Sequence, residues 1–182
     1  MKLLKLLLAL TIFLLACFVG FLAYMGMFSA LNVAEQKIGP FTYAYEEFVG
    51  PYKKAGPVFA KVNNILSAQG VTGEKGVMVC FDNPSQVPAN RLHSNCGAII
   101  DDKDPLKVAA VRRRLKIGSF PRTDCMVVEF PAKNALSYMI APMKVYPVMI
   151  NYMAAKGYQP RESWEIYDMA GKKTVYIIPI RK

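Results

Sequence analysis

The sequence predicts an α+β domain behind one N-terminal transmembrane helix, and three observations carry that prediction. Residues 6–28 form an almost wholly apolar run. Two helical segments further on repeat the same apolar stripe, Val58, Phe59, Val62, Ile65 and Leu66 matching Val145, Tyr146, Met149, Tyr152 and Met153 at a constant offset of 87 residues. Each of these segments follows one strand-like stretch and precedes two more. The economical architecture is a strand–helix–strand–strand unit repeated in tandem, giving an antiparallel sheet with helices on one face.

The first element is the anchor. A bilayer core takes about 20 apolar residues as a helix, and Leu6–Phe28 supplies them, with Thr11 and Gly20 too mild to interrupt the run. A cleaved signal peptide is the rival reading. The run exceeds an h-region of about 7–15 residues, and its best small-residue cleavage candidate, Phe28-Ser29-Ala30, carries a bulky residue where a small one is needed. A lipoprotein signal is the third reading, since Leu14-Leu15-Ala16-Cys17 resembles a lipobox; the apolar residues continuing through Phe18–Phe28 argue against it. Residues 1–34 are therefore read as the anchor, in contact with the bilayer through 6–28, and 35–182 as the domain. Lys2 and Lys5 precede the span, while Glu35-Gln36-Lys37 after it carries no net positive charge. This places the N-terminus in the cytoplasm and the domain in a periplasmic or other extracytoplasmic space.

The domain elements follow in order. Phe41–Tyr45 alternates large with small as a strand, and Gly50-Pro51 ends it. A helix is predicted from about Pro57 to Gln69, closed by Gly70. Val77–Phe81 and Gly97–Ile100 read as strands joined by a turn-rich connection centred on Pro88. A basic helix follows Pro105, then a strand at Met126–Phe130. The second long helix spans about Met143–Lys156 and stops at Gly157, and the strands Ser163–Tyr167 and Thr174–Ile180 close the chain around Ala170-Gly171. Gly70 and Gly157, like Asn64 and Asn151, keep the 87-residue offset.

Charge and cysteine content restrict the function classes. The formal net charge is +10, of which Lys2 and Lys5 supply two, leaving +8 on the domain. The densest cluster is Arg112-Arg113-Arg114 with Lys107 and Lys116, read as a solvated helix face or as a site for anionic headgroups. No nucleic-acid motif accompanies it, and no nucleic-acid partner is expected. Cys80, Cys96 and Cys125 lack metal-knuckle spacing. They are read as buried thiols, with a Cys80–Cys96 disulfide across the hairpin chemically permitted outside the cytoplasm.

Catalytic motifs are scarce. His93 is the sole histidine and is read in a polar loop beside Arg91 and Asn95. No phosphate loop, nucleophile elbow or zinc spacing appears, so no metal or cofactor is expected. Glu165 stands out instead, an acid between Trp164 and Ile166 in a short strand, on one face with Ser163 and Tyr167. Acids are depleted from strands. Either Glu165 faces solvent and pairs with Lys172, Lys173 or Arg181, or it is desolvated and needs a partner. A cationic ligand among aromatic rings would serve, and Tyr43, Tyr45, Tyr52, Tyr146, Tyr152, Trp164, Tyr167 and Tyr176 are the rings available.

The chain resembles a known family on a set of short motifs in order. They are Gly50-Pro51-Tyr52, Phe81-Asp82-Asn83-Pro84 with Val87-Pro88, Phe130-Pro131, Leu136-Ser137, Tyr146-Pro147, and Glu165-Ile166-Tyr167 with Pro179. The set is similar to the GyrI-like (AraC effector-binding) domains, and specifically to a membrane-anchored branch that includes a eukaryotic testis-expressed ER-phagy receptor. The resemblance implies a tandem strand–helix–strand–strand fold that binds small, often cationic and aromatic molecules in a groove between its repeats. It implies Glu165 as the ligand-binding acid, with Tyr52, Tyr146, Trp164 and Tyr167 as walls. Some members hydrolyse electrophilic molecules with that acid. A hydrolase using Glu165 is therefore the second reading, with Glu129 a weak second acid. A membrane-surface interaction or scaffold module is the third. No helix-turn-helix precedes the domain, and the sequence ends at Lys182 without the receptor's long tail. Transcriptional and autophagy roles are accordingly not expected, and a bacterial-type envelope protein is.

Overall fold

The structure, a computed structural model, describes residues 2–24, 27–28, 30–101, 104–134, 136–159 and 161–180. Met25, Gly26 and Ser29 of the anchor region, and Arg181 considered above as a partner for Glu165, lie outside the described residues. Helix α1, Lys2–Tyr24, is long and apolar enough to cross a membrane, and none of its residues is buried against the domain. That exposure separates it from the core helix of a soluble fold.

The domain is α+β. Its strands are β1 (Ala34–Ile38), β2 (Phe41–Val49), β3 (Gly73–Cys80), β4 (His93–Ile100), β5 (Lys116–Phe120), β6 (Thr123–Pro131), β7 (Ser163–Asp168) and β8 (Lys173–Pro179). They form one curled antiparallel sheet in the order β1-β6-β8-β7-β3-β4-β2-β5. The helices are α2 (Gly56–Ala68), α3 (Pro105–Arg112) and α4 (Ser137–Lys156). The predicted repeat is present as β2-α2-β3-β4 and β6-α4-β7-β8, and the two units join through the central β3–β7 pair.

The two helices end alike. Gly70 and Gly157 hold φ of 65° and 69°, the left-handed conformation in which glycine carries no Cβ penalty. Beyond them Val71 N–H donates to the Leu66 carbonyl and Tyr158 N–H to the Met153 carbonyl, each at 3.0 Å. These are matching Schellman closures, 87 residues apart.

Two features differ from the sequence reading. Helix α4 starts at Ser137 rather than near Met143, running through Pro142 and Pro147. Each proline removes an intrahelical N–H and disfavours the turn before it. The helix persists because Ser137, Ala141, Val145, Met149 and Met153 bury one face at every fourth residue. The edge strands β1 and β5 are additional. Both are short, and β1 is almost wholly exposed, so neither carries the alternation that marks a half-buried strand. They are held by pairing with β6 and β2, which lie far from them in sequence.

Strand alternation divides the core. The helix-facing side buries Ala44, Ala98 and Ile100 under α2 with Val62 and Leu66. Under α4 it buries Met126, Val128, Phe130, Tyr176 and Ile178 with Val145 and Met149. On the opposite face, the curl of the sheet closes Tyr43, Val77, Val79, Phe120, Val127, Trp164, Ile166 and Ile177 into a separate cluster.

Candidate functional site

The central strands present three helix-facing residues each where the repeats meet. Gly76, Met78 and Cys80 on β3 stand opposite Tyr167, Glu165 and Ser163 on β7. Glu165 is 7% exposed, so it lies in the floor between α2 and α4 rather than on a solvent face. Its carboxylate accepts the Tyr146 O–H from α4 on Oε1 and the Tyr167 O–H on Oε2, both at 2.7 Å. Ser163 Oγ lies 3.0 Å from the Tyr146 oxygen. Because Tyr146 spends its single proton on Glu165, Ser163 donates, and a relay runs from Ser163 through Tyr146 to the acid.

The electrostatics follow from this enclosure. Burial pushes the Glu165 carboxyl above the ordinary value, while the two phenol donors pull it back. Burial and the neighbouring acid drive Tyr146 and Tyr167 well up, so both stay protonated donors. Burial likewise drives up the Cys80 thiol. Among the described residues no lysine, arginine or histidine forms an ion pair with Glu165. Lys173, weighed as a partner, donates to Glu129 at 2.7 Å instead. The Tyr176 hydroxyl, on the residue opposite Glu165 in β8, is buried without a hydrogen-bond partner among the described residues.

Rings wall the acid on several sides. Tyr146 meets Tyr176 edge-on at 5.7 Å. Tyr167 is flanked by Phe59 of α2 at 5.5 Å and by Tyr138 of α4 at 5.7 Å, both edge-on. The Tyr138 hydroxyl donates to Met169 Sδ at 2.9 Å in the β7–β8 turn. The site is closed: aromatic side chains from both helices cover Tyr167, and Glu165 is buried beneath them.

The structure brings together three of the five residues implied above, Glu165, Tyr146 and Tyr167. Tyr52 packs at the edge of the same site, against the group containing Met78 and Cys80 that Tyr167 also covers. Its hydroxyl donates to the Asp82 carbonyl at 2.9 Å and accepts the Asp82 N–H at 3.2 Å. Trp164 is not part of the site. Adjacent strand residues point to opposite faces, and its indole packs on the far side of the sheet against Phe41, Tyr43 and Phe120. Tyr138 and Phe59 are not among the rings the sequence offers, and Tyr176 is offered there only as an available ring, not as a wall. Their periodicity marks them as helix-face or strand-core residues, and only the pairing of β7 with β3 and β8 brings them around one acid.

Other singled-out residues lie elsewhere. His93 begins β4 rather than lying in a loop, with its Nδ1 2.9 Å from Asp82 Oδ2. Cys80 stands opposite Ser94, and Cys96 opposite Met78; both thiols are free and buried. Arg112 ends α3, with Arg113 and Arg114 in the turn beyond it.

No family model matches the chain. Human Testis-expressed protein 264 is 26% identical to it over 166 residues, covering 87% of this chain and 51% of that protein. The mouse homolog is 27% identical over 156 residues, covering 81% and 49%. The chain thus spans about half the length of the curated relatives it matches. Among solved structures, the EcmrR C-terminal domain superposes with a TM-score of 0.58 at 12% identity, covering 84% of this chain and 98% of that one. An integron cassette protein of Vibrio cholerae gives 0.53 at 12% identity, over 84% and 97%. SAV2435 bound to tetraphenylphosphonium gives 0.52 at 11% identity, over 82% and 94%. At these identities the likeness is one of fold.

Proposed function

We propose that the chain is a membrane-tethered GyrI-like domain that binds a small, cationic and aromatic molecule at Glu165, between its repeats. Residues 1–34 serve as the anchor and 35–182 as the binding domain. Lys2 and Lys5 keep the short N-terminus cytoplasmic and the domain outside. One observation carries the binding reading: a buried carboxylate held by two phenol hydroxyls, with no cation paired to it among the described residues. An ionised acid in such a place is unfavourable until a positive charge joins it. Tyr146, Tyr167, Tyr138 and Tyr176 offer the ring faces that hold an organic cation. The buried Tyr176 hydroxyl adds a polar contact the fold itself leaves unused. That SAV2435, a neighbour in fold, was solved with tetraphenylphosphonium supports the choice of ligand class.

The test is calorimetric titration of the full chain in nanodiscs with tetraphenylphosphonium. Trp164 faces away from the site, so its fluorescence is a poor reporter. Wild type binds, and Glu165→Gln, which keeps the shape and removes the charge, weakens binding by about tenfold or more. Affinity rises with pH as Glu165 ionises. Equal binding by wild type and Glu165→Gln overturns the reading.

A further inference from the structure

We propose that the outer face of α4 lies on the phospholipid surface, so that the domain meets the membrane through α4 as well as α1. This rests on the tethered reading of α1.

The face is apolar and continuous, and among the described residues it is left exposed. Opposite the buried residues of α4, Leu136 just before the helix and then Met139, Met143, Pro147 and Ile150 line up at spacings of three and four. Met143 is 73% exposed, Met139 63% and Ile150 50%. Single exposed apolar residues need no explanation, but a stripe spanning about 20 Å of one helix does. Met169, 68% exposed, extends it sideways, held beside Tyr138 by the Sδ contact.

Charge selects the occupant. Between Ser137 and Lys156 there is no acidic residue, while Lys144 and Lys156 lie on the helix and Lys133 just before it. An apolar stripe with lysines and no acids suits a helix lying in an anionic headgroup layer. It suits a second copy of itself poorly, because two such faces would bring like charges together.

Geometry places α4 beside the bilayer. Lys133 donates to the carbonyl of Tyr24, the last residue of α1, and its ammonium sits 4.4 Å from that ring's centroid. The apolar helix therefore ends where α4 is about to begin. The chain leaving α1 stays with α4: Leu31 and Val33 pack into the core under it. Glu35 then accepts the Tyr152 and Tyr158 hydroxyls at 2.9 and 2.8 Å. With both of its ends tied to the chain that emerges from α1, α4 cannot stand far from the membrane. Arg112–Arg114, the cluster the sequence offers for lipid contact, precedes β5 at the opposite edge of the sheet from β1.

The experiment places a tryptophan on the face and asks whether lipid reaches it. Met143→Trp and, independently, Ile150→Trp are made in the full chain and reconstituted into phosphatidylcholine–phosphatidylglycerol vesicles with acyl chains brominated near the headgroup. Leu106→Trp, on α3 and more exposed still, serves as control, and the buried Trp164 gives a constant background. The reporters on α4 are quenched roughly twofold or more, as expected for side chains within the interfacial layer, and the control is not. If the chain resists an alkaline wash but neither reporter is quenched, the surface contact is wrong and the tether stands. If the wash strips the chain from the vesicles, the tether fails and the surface contact with it. A blue shift that grows with protein density, without quenching, assigns the face to a second copy and overturns the proposal.

Discussion

The two repeats share a backbone plan and differ in what they bury at their meeting line. The first repeat fills its helix-facing side with Ala44, Val62, Leu66 and Ala98, and its central strand contributes Gly76, Met78 and Cys80. The second keeps an apolar floor on β6 and β8, yet its central strand contributes Ser163, Glu165 and Tyr167. One half is a plain core; the other is a core with an acid and its donors built into it. Duplicated folds can hold a site this way, because one repeat supplies rigidity while the other departs from apolar patterning.

The largest effects test whether the halves are one structure. Leu66 and Met149 are fully buried under α2 and α4. Leu66→Ala and Met149→Ala should each lower stability by about 2–5 kcal/mol, from lost burial and the cavity left behind. Since β3 pairs with β7 through five residues, both variants should shift a single denaturant transition, seen alike by circular dichroism and by Trp164 emission. Two separated transitions in either variant would show that the repeats unfold independently.

Smaller effects should appear in the second repeat alone. Tyr146→Phe or Tyr167→Phe leaves the Glu165 carboxylate with one donor instead of two. Loss of a hydrogen bond to a buried charge costs about 1.5–3 kcal/mol. The pH dependence has a definite sign. Folding raises the Glu165 pKa above its unfolded value, so the native state binds more protons between the two values. Stability from this group is complete below the ordinary carboxylate range and declines as pH rises through the raised value. Either Tyr→Phe change raises the folded pKa further, extending that decline to higher pH, and Glu165→Gln abolishes it. Asp168 acts in the opposite sense. The Gly171 N–H and Lys75 hold its carboxyl below the usual range, so its contribution is lost as pH falls. Denaturation midpoints across pH for Glu165→Gln and wild type separate the two.

The same contrast explains what could be read from the chain. The repeat was legible because Val62, Leu66, Met149 and Met153 recur with helical period and because Gly70 and Gly157 end both helices. Glu165 was legible as an acid breaking a run of large apolar residues. Which rings surround it was not, because sequence gives the period of a strand but not its neighbours. Trp164 and Tyr167 flank the strand's apolar stretch almost equally in sequence, yet one residue of offset from Glu165 sends Trp164 to the far face. Tyr138 was hidden behind Pro142, which reads as a helix start when the burial of Ser137 and Ala141 is unknown. The edge strands β1 and β5 were illegible for a related reason: their stability comes from partners distant in sequence.

The smallest expected effect is also the sharpest test of equivalence. Gly70 and Gly157 carry nearly the same positive φ. A Cβ at Gly157 would meet nothing within 4 Å, and one at Gly70 only the Lys107 Cε at 3.9 Å, an ordinary contact. Steric clash is therefore absent at both, and replacement by alanine measures backbone strain alone. Gly70→Ala and Gly157→Ala should each cost about 1 kcal/mol. Their effects should agree closely, because the Val71 and Tyr158 closures beyond them have the same 3.0 Å bonds. A markedly larger loss for Gly157→Ala, measured by urea denaturation, would mean that the end of α4 carries a second duty. The Tyr158 bond to Glu35 is where to look for it, since tilting the last turn would pull on the chain that leads back to α1.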